Sequence, residues 1–99
     1  MELKKAYRKR RRIREPWYAQ WRGINRRCTT KSNKYYRRGI KNFLSIDDVK
    51  TLWFRDRAYF LTKPSLDRID SRKNYTLENC EFIELKENII KGNKERHTK

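Results

Sequence analysis

The sequence predicts an α+β domain in which N-terminal helices precede a β-hairpin and a closing helix. Three observations carry this. Trp17, Trp21, Ile24 and Cys28 recur at spacings of four, three and four, which is one face of a helix. Ile46, Val49, Leu52 and Trp53 form a second such stripe behind Ser45. The stretch "SLDRIDSRKNYTLENCEFIELKEN", Ser65 to Asn88, then reads as strand, turn, strand and short helix. Ninety-nine residues suit one small domain. Charged residues make up 40% of the chain, near the disordered regime, but the 13% of aromatics supply anchors for a modest core.

Residues 1–14, "MELKKAYRKRRRIR", carry eight basic residues and are expected to form a basic arm, kept mobile by self-repulsion until a partner neutralises it. A single domain then spans 15–93, with its hairpin-helix core at about 64–92 and a tail at 94–99. Pro16 suits the first turn of the first helix. That helix buries its Trp face in preference to offering it for base stacking, and it projects Arg22, Arg26 and Arg27 elsewhere. Gly23 costs it about 1 kcal/mol relative to Ala. "TTKSNKYYRRGIKN" reads as a polar, basic loop. In it Tyr35 and Tyr36, next to Arg37 and Arg38, suit two roles equally: gripping a phosphate and stacking on a sugar or base, or sealing the edge of a core. Ser45 caps the second helix, with Asp47 and Asp48 in the first turn, and this helix is expected to end near Ala58. "YFLTKP" is expected to be extended, because a residue before proline avoids the helical region. The hairpin strands are read as Ser65 to Ile69 and Cys80 to Ile83, with Phe82 in the core and "DSRKNY" in the turn. "ELKENIIKGN" is read as a helix stopped by Gly92.

Charge points to the partner. Residues 1–44 hold 16 basic and two acidic side chains, a balance of +14. Residues 45–99 hold 12 and ten, a balance of +2. A basic half of this kind calls for a polyanion, and nucleic acid comes first because each neutralised phosphate releases counterions. Nucleic acid is the expected partner, with double-stranded DNA as the first expectation and RNA left open, contacted by Arg8, Arg10, Arg11, Arg12, Arg22, Arg26, Arg27, Arg37, Arg38 and Lys41. A membrane is not expected, since no apolar stretch could span a bilayer and the basic run lacks large apolar residues. "MELKKAYRKRRR" lacks the apolar segment of a secretory signal, so a cytoplasmic protein is expected. Cys28 and Cys80 are then reduced, buried thiols. Zinc is not expected, because the cysteines lack C-x-x-C spacing and the lone histidine, His97, lies in the tail. A ribosomal or other structural nucleic-acid protein fits the same charge balance.

The 65–88 stretch carries further information. It resembles the HNH nuclease motif, the ββα-metal or His-Me finger, and most closely the HNH proteins of phages and intron-encoded homing endonucleases. The family closes its first strand with Asp-His, and this chain has Asp67-Arg68. An Asn precedes the second strand, often inside "xxENxxWxT", and this chain has "TLENCEFIE" with Asn79. A helix residue follows, often Asn in "xEN", and this chain has "KEN" with Asn88. Upstream, "WRGINRRC", "KYYRRGI" and "PSLDRID" are similar to a phage subset with W-x(n)-R-C, a tyrosine- and glycine-rich R-G-I stretch and P-S-x-D-R-I-D, so that residues 21–93 are covered. Tyr36-Arg37 stands where that subset commonly has glycines.

The resemblance implies a small DNA endonuclease or nickase, encoded by a phage or mobile element and acting in a bacterial host, with a protein partner in a phage assembly as a further expectation. It implies that Asp67 and Asn88 ligate one divalent ion, Mg²⁺ or Mn²⁺, and that Asn79 ties the hairpin loop and orients position 68. A hard cation of this kind keeps several waters, so two protein ligands suffice. Arg68 stands where the family places its general-base histidine. A guanidinium stays protonated and takes no proton from water, but it can clamp a phosphate or stabilise its developing charge. The base must then come from elsewhere, with Asp70 the nearest side chain and metal-activated water the other source. The alternative is a catalytically inactive binding or regulatory protein with the same fold. The plainest reading of the residues is structural: Asp67 and Asp70 paired with Arg68, Arg72 or Lys73, Asn79 capping a turn, and Asn88 on a helix surface.

Overall fold

A computed structural model describes residues 15–97, with side chains described through Lys94. The basic arm, with Arg8, Arg10, Arg11 and Arg12, lies outside the described residues, as does the side chain of His97. The architecture is α+β. Helix α1 (Pro16–Thr29) leads through a short helix α2 (Lys34–Arg37) to α3 (Ile46–Arg55), a 3-10 turn (Ala58–Phe60), strand β1 (Pro64–Arg68), a second 3-10 turn (Leu77–Asn79), strand β2 (Cys80–Glu84) and helix α4 (Leu85–His97). Among the described residues no helix is long and apolar enough to cross a membrane.

The helix faces follow their periodicity. Trp17, Ile24 and Cys28 of α1 are buried, and Trp21 packs beside them while its indole N–H donates to the Leu44 carbonyl at 2.7 Å. The Trp face is therefore core. Ser45 and Asp48 cap α3 reciprocally, at 3.0 and 2.9 Å, and α3 buries Val49, Leu52 and Trp53. Trp53 meets Trp17 edge-on at 6.3 Å and Phe82 at 5.3 Å, and so joins α1, α3 and β2. Trp53→Ala is expected to cost about 3–5 kcal/mol, most of the stability of so small a domain, measurable as a lower urea midpoint. Cys28 and Cys80 are buried free thiols. Burial raises both, Cys80 to about 11, so neither is a thiolate at neutral pH.

Four local details differ from the sequence reading. The loop after α1 contains α2, because the Asn33 side chain caps the Tyr35 N–H at 3.0 Å. Gly39 closes α2 with φ +75, a left-handed backbone that favours glycine. Helix α3 ends at Arg55, not near Ala58, because Asp56 turns its carboxylate to the Phe82 N–H at 2.8 Å and Arg57 adopts φ 52. Tyr59 and Phe60 consequently sit in a 3-10 turn and are not extended. Gly92 does not stop α4, which runs on through the expected tail to His97. Glycine ends a helix by turning left-handed, and among the described glycines only Gly39 does so.

The strands fall within one residue of expectation and pair antiparallel, with Leu66 opposite Phe82, Asp67 opposite Glu81 and Arg68 opposite Cys80. Alternation puts Leu66 and Phe82 on the face that packs into the core. Ser65 and Asp67 belong to the other face, against which α4 lies. Arg55 reaches the Cys80 carbonyl at 2.9 Å, and Glu84 accepts the Thr62 and Lys63 N–H groups at 2.7 and 3.1 Å, so both ends of β2 are anchored. An isolated bridge between Asn42 and Tyr75 ties the loop before α3 to the hairpin.

Candidate active site

The hairpin loop is held by Asn79. Its Oδ1 accepts the Asp70 N–H at 2.9 Å, and its Nδ2 donates to the carbonyls of Asp70 and Asn74 at 3.1 and 2.9 Å. These three bonds tie the loop across its width. Asn79 itself does not line the cavity described below, so it acts as a positioning residue.

Arg68 holds the same loop from the strand side. It is 8% exposed. Its Nη1 donates to the carbonyls of Ser71 and Lys73, the latter at 3.0 Å, and its guanidinium lies 5.2 Å from the rings of both Tyr35 and Tyr75. A planar cation beside two rings that also donates to two carbonyls is an arrangement that a lysine cannot reproduce. Tyr35 is half-buried against the core and beside this cation, whereas Tyr36 is exposed, which separates the two tyrosines that the sequence treated alike. Asp70 accepts from the Arg72 backbone at 3.0 Å and pairs with its guanidinium at 3.2 Å. The side-chain bond from Arg72 holds the Asp70 carboxyl below the usual carboxylate range. Asp70 does not line the cavity, so its carboxylate is committed to the loop and weakened as a base.

On the opposite face of β1, strand alternation meets helix periodicity. Ser65 and Asp67 are two apart on a strand, and Asn88 and Lys91 are three apart on a helix, so each pair presents one face. They join two by two. Asn88 Nδ2 donates to Ser65 Oγ at 2.8 Å, and Lys91 Nζ donates to Asp67 Oδ2 at 2.8 Å. The Asp67 carboxylate is 6% exposed. Lys91 also donates to the carbonyls of Arg68 and Ile69, at 2.7 and 3.1 Å.

These groups floor a cavity of about 510 Å³. Arg27 of α1, Lys34 of α2, Arg38 beyond it and Arg72 of the hairpin loop rim it. Among the described residues that line it, Asp67 is the sole carboxylate. Arg27 also lies 5.7 Å from the Tyr35 ring, and its Nε is buried without a hydrogen-bond partner among the described residues. Of the residues read from the sequence, the structure therefore brings together Arg27, Arg38, Asp67, Arg68 and Asn88. Arg22, Arg26, Arg37 and Lys41 are exposed outside the cavity. Lys34, Ser65, Tyr75 and Lys91 were not singled out in the sequence, and Arg72 was expected only as an ion-pair partner on the loop, a pairing that it makes with Asp70. Lys91 alone had a readable signal, its place one helical turn beyond Asn88.

Among the described residues no three His, Cys, Asp or Glu side chains converge on one point. The oxygens around Lys91 Nζ are nonetheless a cation's surroundings, one carboxylate and two backbone carbonyls. Asn88, one helical turn before Lys91, gives its amide nitrogen to Ser65 and carries Oδ1 as a further oxygen on the same helix face. This hard-oxygen set fits Mg²⁺ or Mn²⁺, with water completing the shell. No family model matches the chain, and neither a curated protein nor a solved structure matches it.

Proposed function

We propose that the chain is a small HNH-like endonuclease, dependent on Mg²⁺ or Mn²⁺, that grips duplex DNA through its basic N-terminal half and hydrolyses one strand. The buried Asp67 carboxylate at the floor of a cation-rimmed cavity is the observation that carries this reading. A site that only bound phosphate would gain nothing from a desolvated carboxylate beyond its pairing with Lys91, because the two anions repel. A carboxylate and a phosphate share a pocket when a cation lies between them. Asp67 and Asn88 would hold that cation, which supplies Lewis-acid stabilisation of the phosphate when bound. Arg27, Lys34, Arg38 and Arg72 receive the phosphates and balance the charge that develops on them. Arg68 and Asn79 keep the hairpin loop in the conformation that presents Asp67.

Supercoiled plasmid incubated with the protein and Mg²⁺ or Mn²⁺ should become nicked circles, and a chelator should stop the reaction. The double variant Asp67→Ala/Asn88→Ala should not nick. Absence of nicking with either metal, or nicking that survives the double variant, overturns the proposal.

A second reading has its own observation. Lys91 already neutralises Asp67, so the cavity attracts phosphate without any metal. A binding protein without cleavage would use it in that state. Both readings predict steep salt dependence: the four rim cations alone should lose about 10²-fold in duplex affinity between about 50 and 200 mM salt. Fluorescence anisotropy across that range measures it. A flat response would remove the cavity from nucleic-acid binding altogether.

A further inference from the structure

The cavity floor holds a cation of its own. An ammonium has three N–H bonds, and Lys91 uses them on Asp67 Oδ2, the Arg68 carbonyl and the Ile69 carbonyl at 2.8, 2.7 and 3.1 Å. None is left for a phosphate. The same oxygens form the hard-donor set that suits a divalent ion, and two cations sharing the buried Asp67 Oδ2 would repel. The Lys91 side chain is 31% exposed, so one side of the cage opens to solvent. Its flexible four-carbon stem can swing that way.

We infer that Lys91 is a tethered competitor for the divalent-cation position, seated in the Asp67 cage until a metal ion arrives and then displaced toward the phosphate in the cavity. The inference rests on the nuclease reading for the metal and adds a device to it. In the metal-free protein the ammonium keeps the buried carboxylate compensated, which protects the hairpin from a naked internal charge. In the metal-loaded protein the same ammonium is free to hold phosphate. Metal and nucleic acid then bind cooperatively, because each favours the displaced position of Lys91.

Mn²⁺ titration, followed by the paramagnetic resonance signal of the free ion, tests this on the intact chain. Lys91→Met and Lys91→Gln should each bind Mn²⁺ at least about tenfold tighter than the wild type, the factor that one charge-assisted hydrogen bond to Asp67 represents. Asp67→Asn should abolish binding. Equal or weaker binding by both Lys91 variants, with wild-type Mn²⁺ binding intact, overturns the inference and leaves the nuclease reading standing. Absence of Mn²⁺ binding in every form overturns both. A measurement on the wild type guards against variants that misfold. The ammonium ¹H–¹⁵N signal of Lys91, slowed by its three hydrogen bonds, should be visible without metal and vanish or shift as Mg²⁺ is added. A signal unchanged at Mg²⁺ concentrations that saturate the site would overturn the inference directly.

Discussion

Arg68→His is expected to destabilise the domain by about 2–4 kcal/mol and to bring no gain in nicking. On the sequence alone this substitution restores a missing general base. The structure gives position 68 other work. The guanidinium supplies donors to two loop carbonyls and lies beside two tyrosine rings, and Arg68 itself is 8% exposed. Histidine is too short to reach both carbonyls. Each part-buried carbonyl that loses its donor costs at most about 1–3 kcal/mol, and loss of the cation beside the rings adds about 0.5–2 kcal/mol. Partial relaxation of the loop brings the total into the stated range. Arg68→Lys should fall between the two, since it keeps the charge and loses the planar fork. Urea midpoints and plasmid nicking on the three proteins measure both effects. Nicking that rises in Arg68→His with an unchanged midpoint would show that position 68 meets the scissile phosphate and is not the loop's support.

The contrast between Arg68 and its neighbours shows which kinds of information a sequence carries in readable form. Local periodicity was legible. The stripes through Trp17 and Trp53, the Ser45 cap and the strand positions all follow from interactions within a few residues of each other. The tie made by Asn79 also sits within nine residues of its partner Asp70, and its position in a recognisable pattern pointed to it. The Arg68 cluster was not legible. It assembles Tyr35, Arg68 and Tyr75 from three segments, and their meeting depends on how α2 and the hairpin pack. Asp67 illustrates the same limit from the other side. Its place within the first strand was legible, but Lys91 became its partner only through the docking of α4 on β1. Gly92 misled because composition reveals that a residue can turn left-handed and not that it does.

Asp67→Asn is expected to reduce nicking by about 10³-fold or more while duplex affinity, measured in chelator, stays equal or rises. The two halves of this result have one cause. Asparagine keeps the shape of the side chain and one oxygen for Lys91, so the β1–α4 contact survives with a modest loss of stability. It removes the negative charge that suits the site to a divalent ion, and with it the cation needed for hydrolysis. It also leaves Lys91 uncompensated in a cavity already rimmed by Arg27, Lys34, Arg38 and Arg72, so the potential at the phosphate position becomes more positive. A purely structural role for Asp67 predicts something else, because a collapsed hairpin would lose binding and cutting together. A pure binding protein predicts the rise in affinity with no cutting to lose, in the variant or in the wild type. Anisotropy on a duplex, plasmid nicking and the urea midpoint, taken on the same preparations, separate the three. Nicking retained at the wild-type rate would mean that Asp67 serves only as the counter-ion of Lys91, and that the ion supporting hydrolysis is held elsewhere.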